Sequence, residues 1–307
     1  MIWCVVLNPA VDVTYEVRSV TPLPEIQYAR RADYQAGGKG HNVARAIHAL
    51  GGSASVAGLY GGLTGRWIRR ELRRRGIAVL AESIDEPSRL CITVADGHGH
   101  QAEIRERGPR VEASSVLTLL DRLAERVTPR DWVVLSGGLP PGLEPDVARR
   151  VVERFRSDVR GVLVDTSGEA LRCAWDAAPL VMTPNREEAR ALLAELPSSP
   201  GPEYLAVTLG RDGVAWRRRG EPAWAKPAPS VDVKTTTGAG DAFLAGLVTA
   251  LDREWDFPEA MDWGMAVAAA SVQELGVAVF DRDEVERLHA AVTAASWQPT
   301  ALDPGGL

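Results

Sequence analysis

Eight consecutive residues, Thr236-Thr237-Gly238-Ala239-Gly240-Asp241-Ala242-Phe243, have the types and spacing best suited to chemistry on a charged group. A small-residue loop runs into an apolar segment in which Ala242, Phe243, Leu244, Leu247, Val248 and Leu251 recur at helical spacing. Asp241 therefore falls in the first turn of a helix. Backbone N–H groups at a helix start lack intrahelical acceptors, and the aligned peptide dipoles add to their attraction for anions. Gly238 and Gly240 let a ligand approach that backbone closely. A carboxylate beside a phosphate site opposes plain binding, but it suits a group that takes a proton from a hydroxyl attacking the phosphate. The alternative is a glycine-softened turn with Asp241 as an ordinary N-terminal helix residue.

A second glycine-rich loop, Gly37-Gly38-Lys39-Gly40-His41-Asn42, also precedes a helical pattern. It is not a P-loop, because Gly40 follows the lysine where Ser or Thr is required. It still offers backbone donors, a cation and an amide, and an amide such as Asn42 can both donate to and accept from vicinal hydroxyls. Asp12, just after the first strand pattern, is an acceptor for sugar hydroxyls. Pro184-Asn185-Arg186-Glu187-Glu188 reads either as a helix start with Asn185 as cap, or as Asn185 and Glu188 organising water around a magnesium–phosphate pair.

The elements that must hold these loops alternate between strand and helix patterns. Ile2 to Leu7 is a continuous apolar run, as in a strand buried on both faces. Further strands are expected at residues 53–59, 132–135, 162–164, 180–182 and 204–208. Helices are expected at 41–50, at 64–75 with Thr64 as cap, and at 113–127, 145–155, 169–174 and 186–196, with more after Asp241 to about Ala295. This alternation predicts a mostly parallel sheet covered by helices on both faces. In such sheets ligands bind beyond the carboxyl ends of the strands, where Asp12, Ser136-Gly137-Gly138, Asn185 and Asp241 could all fall. Residues 13–36, with Pro22 and Pro24, and 90–107, a hairpin around Asp96-Gly97, lack helices of their own. They read as a small β-sheet lid. The tail, with Pro299, Pro304 and two final glycines, is expected to fray.

Bulk properties narrow the class. The 307 residues, 45% hydrophobic and 25% charged, suit one large α/β domain with the lid as an appendage. A net charge of −6 argues against a nucleic-acid partner. Six arginines between Arg66 and Arg75 lie on an amphipathic helix whose Trp67, Ile68 and Leu72 are left for the core. His98-Gly99-His100 has no carboxylate or cysteine partner in its hairpin, and the nine tryptophans are scattered as packing residues. Cys4, Cys91 and Cys173, odd in number and widely spaced, give no disulfide or zinc pattern and fit a reducing cytoplasm. No secretory leader or membrane span is expected.

Taken in order, the motifs resemble the phosphofructokinase B branch of the ribokinase-like carbohydrate kinases. They are Asn8-Pro9-Ala10-Val11-Asp12, Gly37-Gly38-Lys39-Gly40-His41-Asn42, Ser136-Gly137-Gly138-Leu139-Pro140-Pro141-Gly142 and Asp165-Thr166-Ser167-Gly168. Pro184-Asn185-Arg186-Glu187-Glu188, Val207-Thr208-Leu209-Gly210 and Thr237-Gly238-Ala239-Gly240-Asp241 complete the series. The opening and the Gly-Leu-Pro-Pro-Gly segment resemble the subgroup of 1-phosphofructokinases and tagatose-6-phosphate kinases. The resemblance implies a three-layer α/β/α domain with a lid formed by about residues 13–36 and 88–108, using ATP and Mg²⁺. It implies Asp241 as general base, with the backbone of Gly238, Ala239 and Gly240 stabilising the transferred phosphoryl group. Asp12, Gly38, Lys39 and Asn42 would hold the sugar, and Arg89 a phosphate already on it. Thr208, Gly210 and Gly213 would flank the nucleotide, with the helix near residues 266–273 beside the adenine. The lid dimerises in several relatives, so a homodimer is an expectation too.

The departures lie on the acceptor side. Cys91 stands where many members of the subgroup carry Asn, Gly138 where many carry Ser, and Gln27-Tyr28-Ala29 where a basic pair is common. Each lost charge-assisted hydrogen bond is worth roughly 1.5–3 kcal/mol. The leading expectation is an ATP-dependent kinase of a phosphosugar such as fructose 1-phosphate. The alternatives are a kinase of an unphosphorylated sugar or sugar-like alcohol, and a catalytically silent sugar sensor.

Overall fold

The computed structural model of the chain describes residues 1–20, 26–96, 100–195, 199–274 and 276–303. Its first half contains β1 (Ile2–Val6), β2 (Ala10–Glu16), β3 (Arg31–Gly37), α1 (Lys39–Ala49), β4 (Ala54–Gly61), α2 (Gly62–Arg74), β5 (Ala78–Ile84), β6 (Arg89–Ala95), β7 (Gln101–Arg105), α3 (Ala113–Ala124) and β8 (Trp132–Ser136). There follow α4 (Val147–Phe155), β9 (Gly161–Asp165), α5 (Gly168–Asp176), β10 (Val181–Met182), α6 (Arg186–Ala194) and β11 (Tyr204–Thr208). The last part holds β12 (Val214–Arg218), β13 (Ala223–Lys226), α7 (Ala239–Asp252), α8 (Phe257–Ser271), α9 (Arg282–Ala294) and β14 (Gln298–Thr300).

The main sheet has the order β14-β13-β12-β11-β10-β9-β8-β1-β4-β5. It is parallel from β11 to β5 and antiparallel through β12, β13 and β14. Alternation along β1 explains the layers. Ile2, Cys4 and Val6 face a core shared with α1, α2, α7, α8 and α9, through residues such as Ile47, Ile68, Phe243, Met261 and Leu288. Val5 and Leu7 face a second core shared with α3, α4, α5 and α6, through Leu119, Val151, Leu171 and Leu192. Helices thus cover both faces, as a parallel sheet buried on both sides requires.

The lid is a separate sheet of order β3-β2-β6-β7, in which β2 and β6 run parallel and the other pairs antiparallel. Asp12 pairs with Gln35 on one side and Cys91 on the other, so β2 carries the acceptor-side residues in the centre of this sheet. Pro22, Pro24, Gly97, His98 and Gly99 lie outside the described residues.

Several local expectations change. Thr64 does not cap α2: its hydroxyl donates to Ser88 O at 2.7 Å, and Gly61 occupies the cap without a side-chain bond. The segment around Pro299 is not frayed but forms β14 against β13, where a proline on an edge strand forfeits no ladder bond toward a neighbour. His100 does have a carboxylate partner, since its Nδ1 lies 3.0 Å from Asp96 Oδ2. The tryptophans pack as expected: Trp216 lies against Phe257 and Trp297, and Trp263 against Trp255. All three cysteines are free thiols. Among the described residues no helix is long and apolar enough to cross a membrane.

Candidate active site

A cavity of about 410 Å³ opens at the carboxyl ends of the parallel strands, beneath the lid. It brings together Asp12, Gly38, Lys39, Asn42, Arg89, Asn185, Glu188, Thr208, Gly238, Gly240 and Asp241, which are dispersed over most of the sequence. Two loop-to-helix turns meet there. Gly38 (φ +98°) starts α1, and Gly238 (φ +83°, left-handed) starts α7, conformations that glycine adopts without the penalty other residues meet. At Gly238 a Cβ would also stand 2.5 Å from Val277 Cγ1, so the turn is packed shut on that side.

Asp241, only 4% exposed, accepts a hydrogen bond from Asn42 Nδ2 at 2.7 Å. Burial, reinforced by the charge of Asp165, pushes the Asp241 carboxyl up to about 7, against the pull of the Asn42 hydrogen bond and the cations Lys39 and Arg45. A carboxyl tuned to neutral pH is matched to general-base work. Gly240 and Asp241 stand in the first turn of α7, where amides have no intrahelical acceptor. Ala239, by contrast, does not line the cavity, and its amide turns back to Thr236 O at 3.3 Å.

Asp165 also lines the cavity; it stands in the motif series, but the sequence assigned it no role. It ends β9, and its Oδ2 lies 3.3 Å from both Lys39 Nζ and Ser136 Oγ. The Asp165 charge holds the Lys39 ammonium above its ordinary value despite burial. Its signal in the sequence is a carboxylate closing an apolar strand, at the edge where ligands of parallel sheets bind. Arg45 was also missed. Its guanidinium donates to Asn42 Oδ1 at 2.8 Å and to Ala36 O.

On the acceptor side, Gly37 makes room for Asp12: a Cβ there would stand 2.1 Å from the Asp12 carboxyl carbon. Burial raises the Asp12 carboxyl, while Arg45, Arg89 and Arg105 draw it back down. Arg89 is held by Asn8 O at 3.3 Å and Glu106 O at 3.1 Å, and its buried Nε has no partner among the described residues. Arg105, paired with Glu103 at 2.5 Å, lines the same cavity. A neighbouring groove of about 730 Å³ shares Lys39, Arg89 and Arg105 and adds Arg107 and the backbone of Gly137 and Gly138. Gly138 thus lies in the groove, not the cavity, and a Cβ on it would meet nothing within 4 Å.

Asn185 and Glu188 line the cavity and also form a reciprocal cap on α6, each side chain accepting from the other's backbone N–H at 2.9 Å. Both readings of that pair therefore fall on one place. Burial raises the Glu188 carboxyl. The buried Thr183 hydroxyl, beside Asn185 and Thr208, lines the cavity and has no partner among the described residues. Gly210 (φ +62°) opens onto empty space, whereas Gly213 (φ +99°) is a packing glycine whose Cβ would strike Lys226 O at 2.0 Å. Neither lines the cavity.

The family model for "pfkB family carbohydrate kinase" matches residues 6–283. A 1-phosphofructokinase of Vibrio cholerae serotype O1 is 26% identical over 310 residues, covering 96% of this chain and 97% of the relative. The structure of phosphofructokinase-2 from Escherichia coli in complex with potassium superposes with a TM-score of 0.87 at 24% identity, covering 95% of this chain and 99% of the other. A possible 1-phosphofructokinase from Thermotoga maritima gives a TM-score of 0.82 at 22% identity, covering 98% and 100%. These likenesses extend over nearly the whole chain and are of fold. Matched over most of its length by the family model, the chain belongs to the pfkB family of carbohydrate kinases.

Proposed function

We propose that this protein transfers the γ-phosphoryl group of ATP to a hydroxyl of a phosphosugar, with fructose 1-phosphate or a related ketohexose phosphate as acceptor. The observation that carries the proposal is the Asn42–Asp241 contact at the mouth of a glycine-framed helix start, inside a cavity lined by lid and sheet residues. The reading takes residues 1–307 as one kinase domain. It is supported by the 1-phosphofructokinase relative, 26% identical over 310 residues.

The residues fit a nucleotide and a magnesium ion. Thr183 leaves a buried hydroxyl unpartnered among the described residues, Gly210 leaves open backbone, and Glu188 with Asn185 can organise the waters that Mg²⁺ keeps around itself. Bound MgATP supplies an electrophilic phosphorus and a leaving group. The chain does the rest by position and charge. Asp12 and Asn42 orient the sugar hydroxyls, Lys39 and the amides of Gly240 and Asp241 face the charge that spreads over the phosphoryl oxygens, and Asp241 accepts the proton of the attacking hydroxyl. The orphaned Arg89 Nε and the groove cations receive the phosphate already on the acceptor. The lid closes over the acceptor and keeps water out.

A homodimer through the lid belongs to the same proposal. Tyr34 and Ile104, on β3 and β7, are 50% and 65% exposed and give the lid an apolar outer surface.

One observation favours a neutral acceptor instead: the carboxylates of Asp12 and Glu103 share the cavity with the arginines and offset their charge. A coupled ADP-release screen over phosphorylated and unphosphorylated sugars separates the readings. The proposal expects turnover with a ketohexose phosphate. Turnover confined to neutral sugars supports the alternative, and sugar binding in calorimetry without ADP release from any acceptor supports a silent sensor.

A further inference from the structure

We infer that Arg45 is a positioning residue that fixes the Asn42 amide so that its NH₂ faces Asp241. The inference rests on Asp241 acting as the base.

An amide has two ends of similar shape and opposite polarity, so its direction must be set by its neighbours. Arg45 lies three residues after Asn42 on the same face of α1. Its guanidinium donates to Asn42 Oδ1 at 2.8 Å, and a donor on that side leaves only the NH₂ end to meet the Asp241 carboxylate, at 2.7 Å. The reversed amide would set NH₂ against guanidinium and oxygen against carboxylate, two repulsive contacts at a buried place. The fork is itself anchored. A second guanidinium nitrogen donates to Ala36 O at the end of lid strand β3, and the first reaches Val277 O at 3.5 Å. Val277 packs on Gly238, the residue that starts α7. Arg45 thereby joins the lid, the sugar-side amide and the base-bearing turn. A planar fork with fixed donors can serve these acceptors together, which a lysine ammonium cannot.

The charges around the two ends are these. Asp241 faces Asp165 from β9 and Lys39 and Arg45 from α1. Arg45 faces Asp12 from β2, Asp241 from α7, and Glu71 and Arg75 from the α2 end.

The test is a double-mutant cycle in ADP-release kinetics, with the acceptor that turns over fastest in the screen, using R45M, N42A and R45M/N42A. Arg45→Met should lower kcat by up to about 10²-fold, with the KM for ATP unchanged. In the N42A background it should cost within about twofold more, because its route to the base is already gone. Equal factors in both backgrounds, or wild-type kcat in R45M, overturn the inference. Should R45M fail to fold, Arg45→Lys keeps the charge and loses the fork. Carbon-13 NMR titration of the Asp241 carboxyl, which needs no acceptor, should then show a higher midpoint than wild type, and an unchanged midpoint overturns it. D241N distinguishes the two levels. Full turnover in D241N removes the base and this inference with it, whereas an inactive D241N beside an unaffected R45M removes Arg45 alone.

Discussion

Asn42 and Asp241, 199 residues apart in the chain, meet through a 2.7 Å hydrogen bond from the side-chain amide to a buried carboxylate. The contact joins the first turns of α1 and α7, two helices each capped by a positive-φ glycine, Gly38 and Gly238. Two glycine-rich loops far apart in sequence thus become one site, and each gives the other its meaning.

The first prediction follows from the cost of burying that carboxylate. Asp241 is held up to about 7 in the folded chain, above its ordinary 3.8. The folded state therefore binds this proton more tightly than the unfolded state, and stability is lost as pH rises between those values. Asp241→Asn should raise the melting temperature over wild type more at about pH 8 than at about pH 5. Thermal melts at both pH values check this, and equal differences would contradict it. Catalysis runs the other way, since a base must be unprotonated. In wild type kcat/KM should fall as pH drops through about 7.

Asp165 supplies the second prediction. Its charge helps to raise Asp241, so Asp165→Asn should move the acid limb of the kcat/KM profile to lower pH. The same change frees Lys39 from its partner, which lowers the remaining rate. A profile whose limb stays in place would show that burial alone tunes the base.

Much of this arrangement is legible in the sequence. The strand at Ile2, the βα alternation and the helix after Gly240 follow from local periodicity, which needs no knowledge of tertiary contacts. Lys39, Asn42 and Asp241 stand out because they lie in or just after glycine-rich turns, and Asp12 because it is a lone carboxylate among apolar residues just after the first strand. Asp165 and Arg45 do not, because their roles depend on which side chains meet them after folding. β12 and β13 were hidden for another reason: they are short strands of five and four residues near one end of the sheet, and β12 closes on Arg217 and Arg218, which leaves too little apolar alternation to register. β5 is likewise a half-exposed edge strand. The tail strand β14 depends on its pairing with β13, not on its own composition.

The acceptor side gives the third prediction. Arg89→Ala should raise the KM for a phosphosugar at least tenfold, since a charge-assisted hydrogen bond is worth about 1.5–3 kcal/mol, and should leave the KM for a neutral sugar nearly unchanged. Gly138→Ser probes the same groove from the other side. Its side chain would enter open space, so the variant should fold as wild type and lower the KM for the phosphosugar. Equal effects on charged and neutral acceptors would place the acceptor's phosphate elsewhere.

A fourth prediction concerns stability away from the site. Lys226, 2% exposed, forms a buried ion pair with Asp262 at 2.7 Å and donates to Val292 O, joining β13, α8 and α9. Lys226→Met should destabilise the fold by about 3–5 kcal/mol, because it strands the Asp262 charge in the interior. Denaturant unfolding of the variant measures it, and a loss below about 1 kcal/mol would mean the pair is solvated.

The central claim is that Asp241 takes the proton from the acceptor hydroxyl during phosphoryl transfer. Steady-state ADP release by wild type and Asp241→Asn, at about pH 8 with the best acceptor, tests it most directly. The account predicts a kcat lower by about 10²–10⁴-fold in a variant that stays folded. A folded variant with wild-type kcat would contradict it.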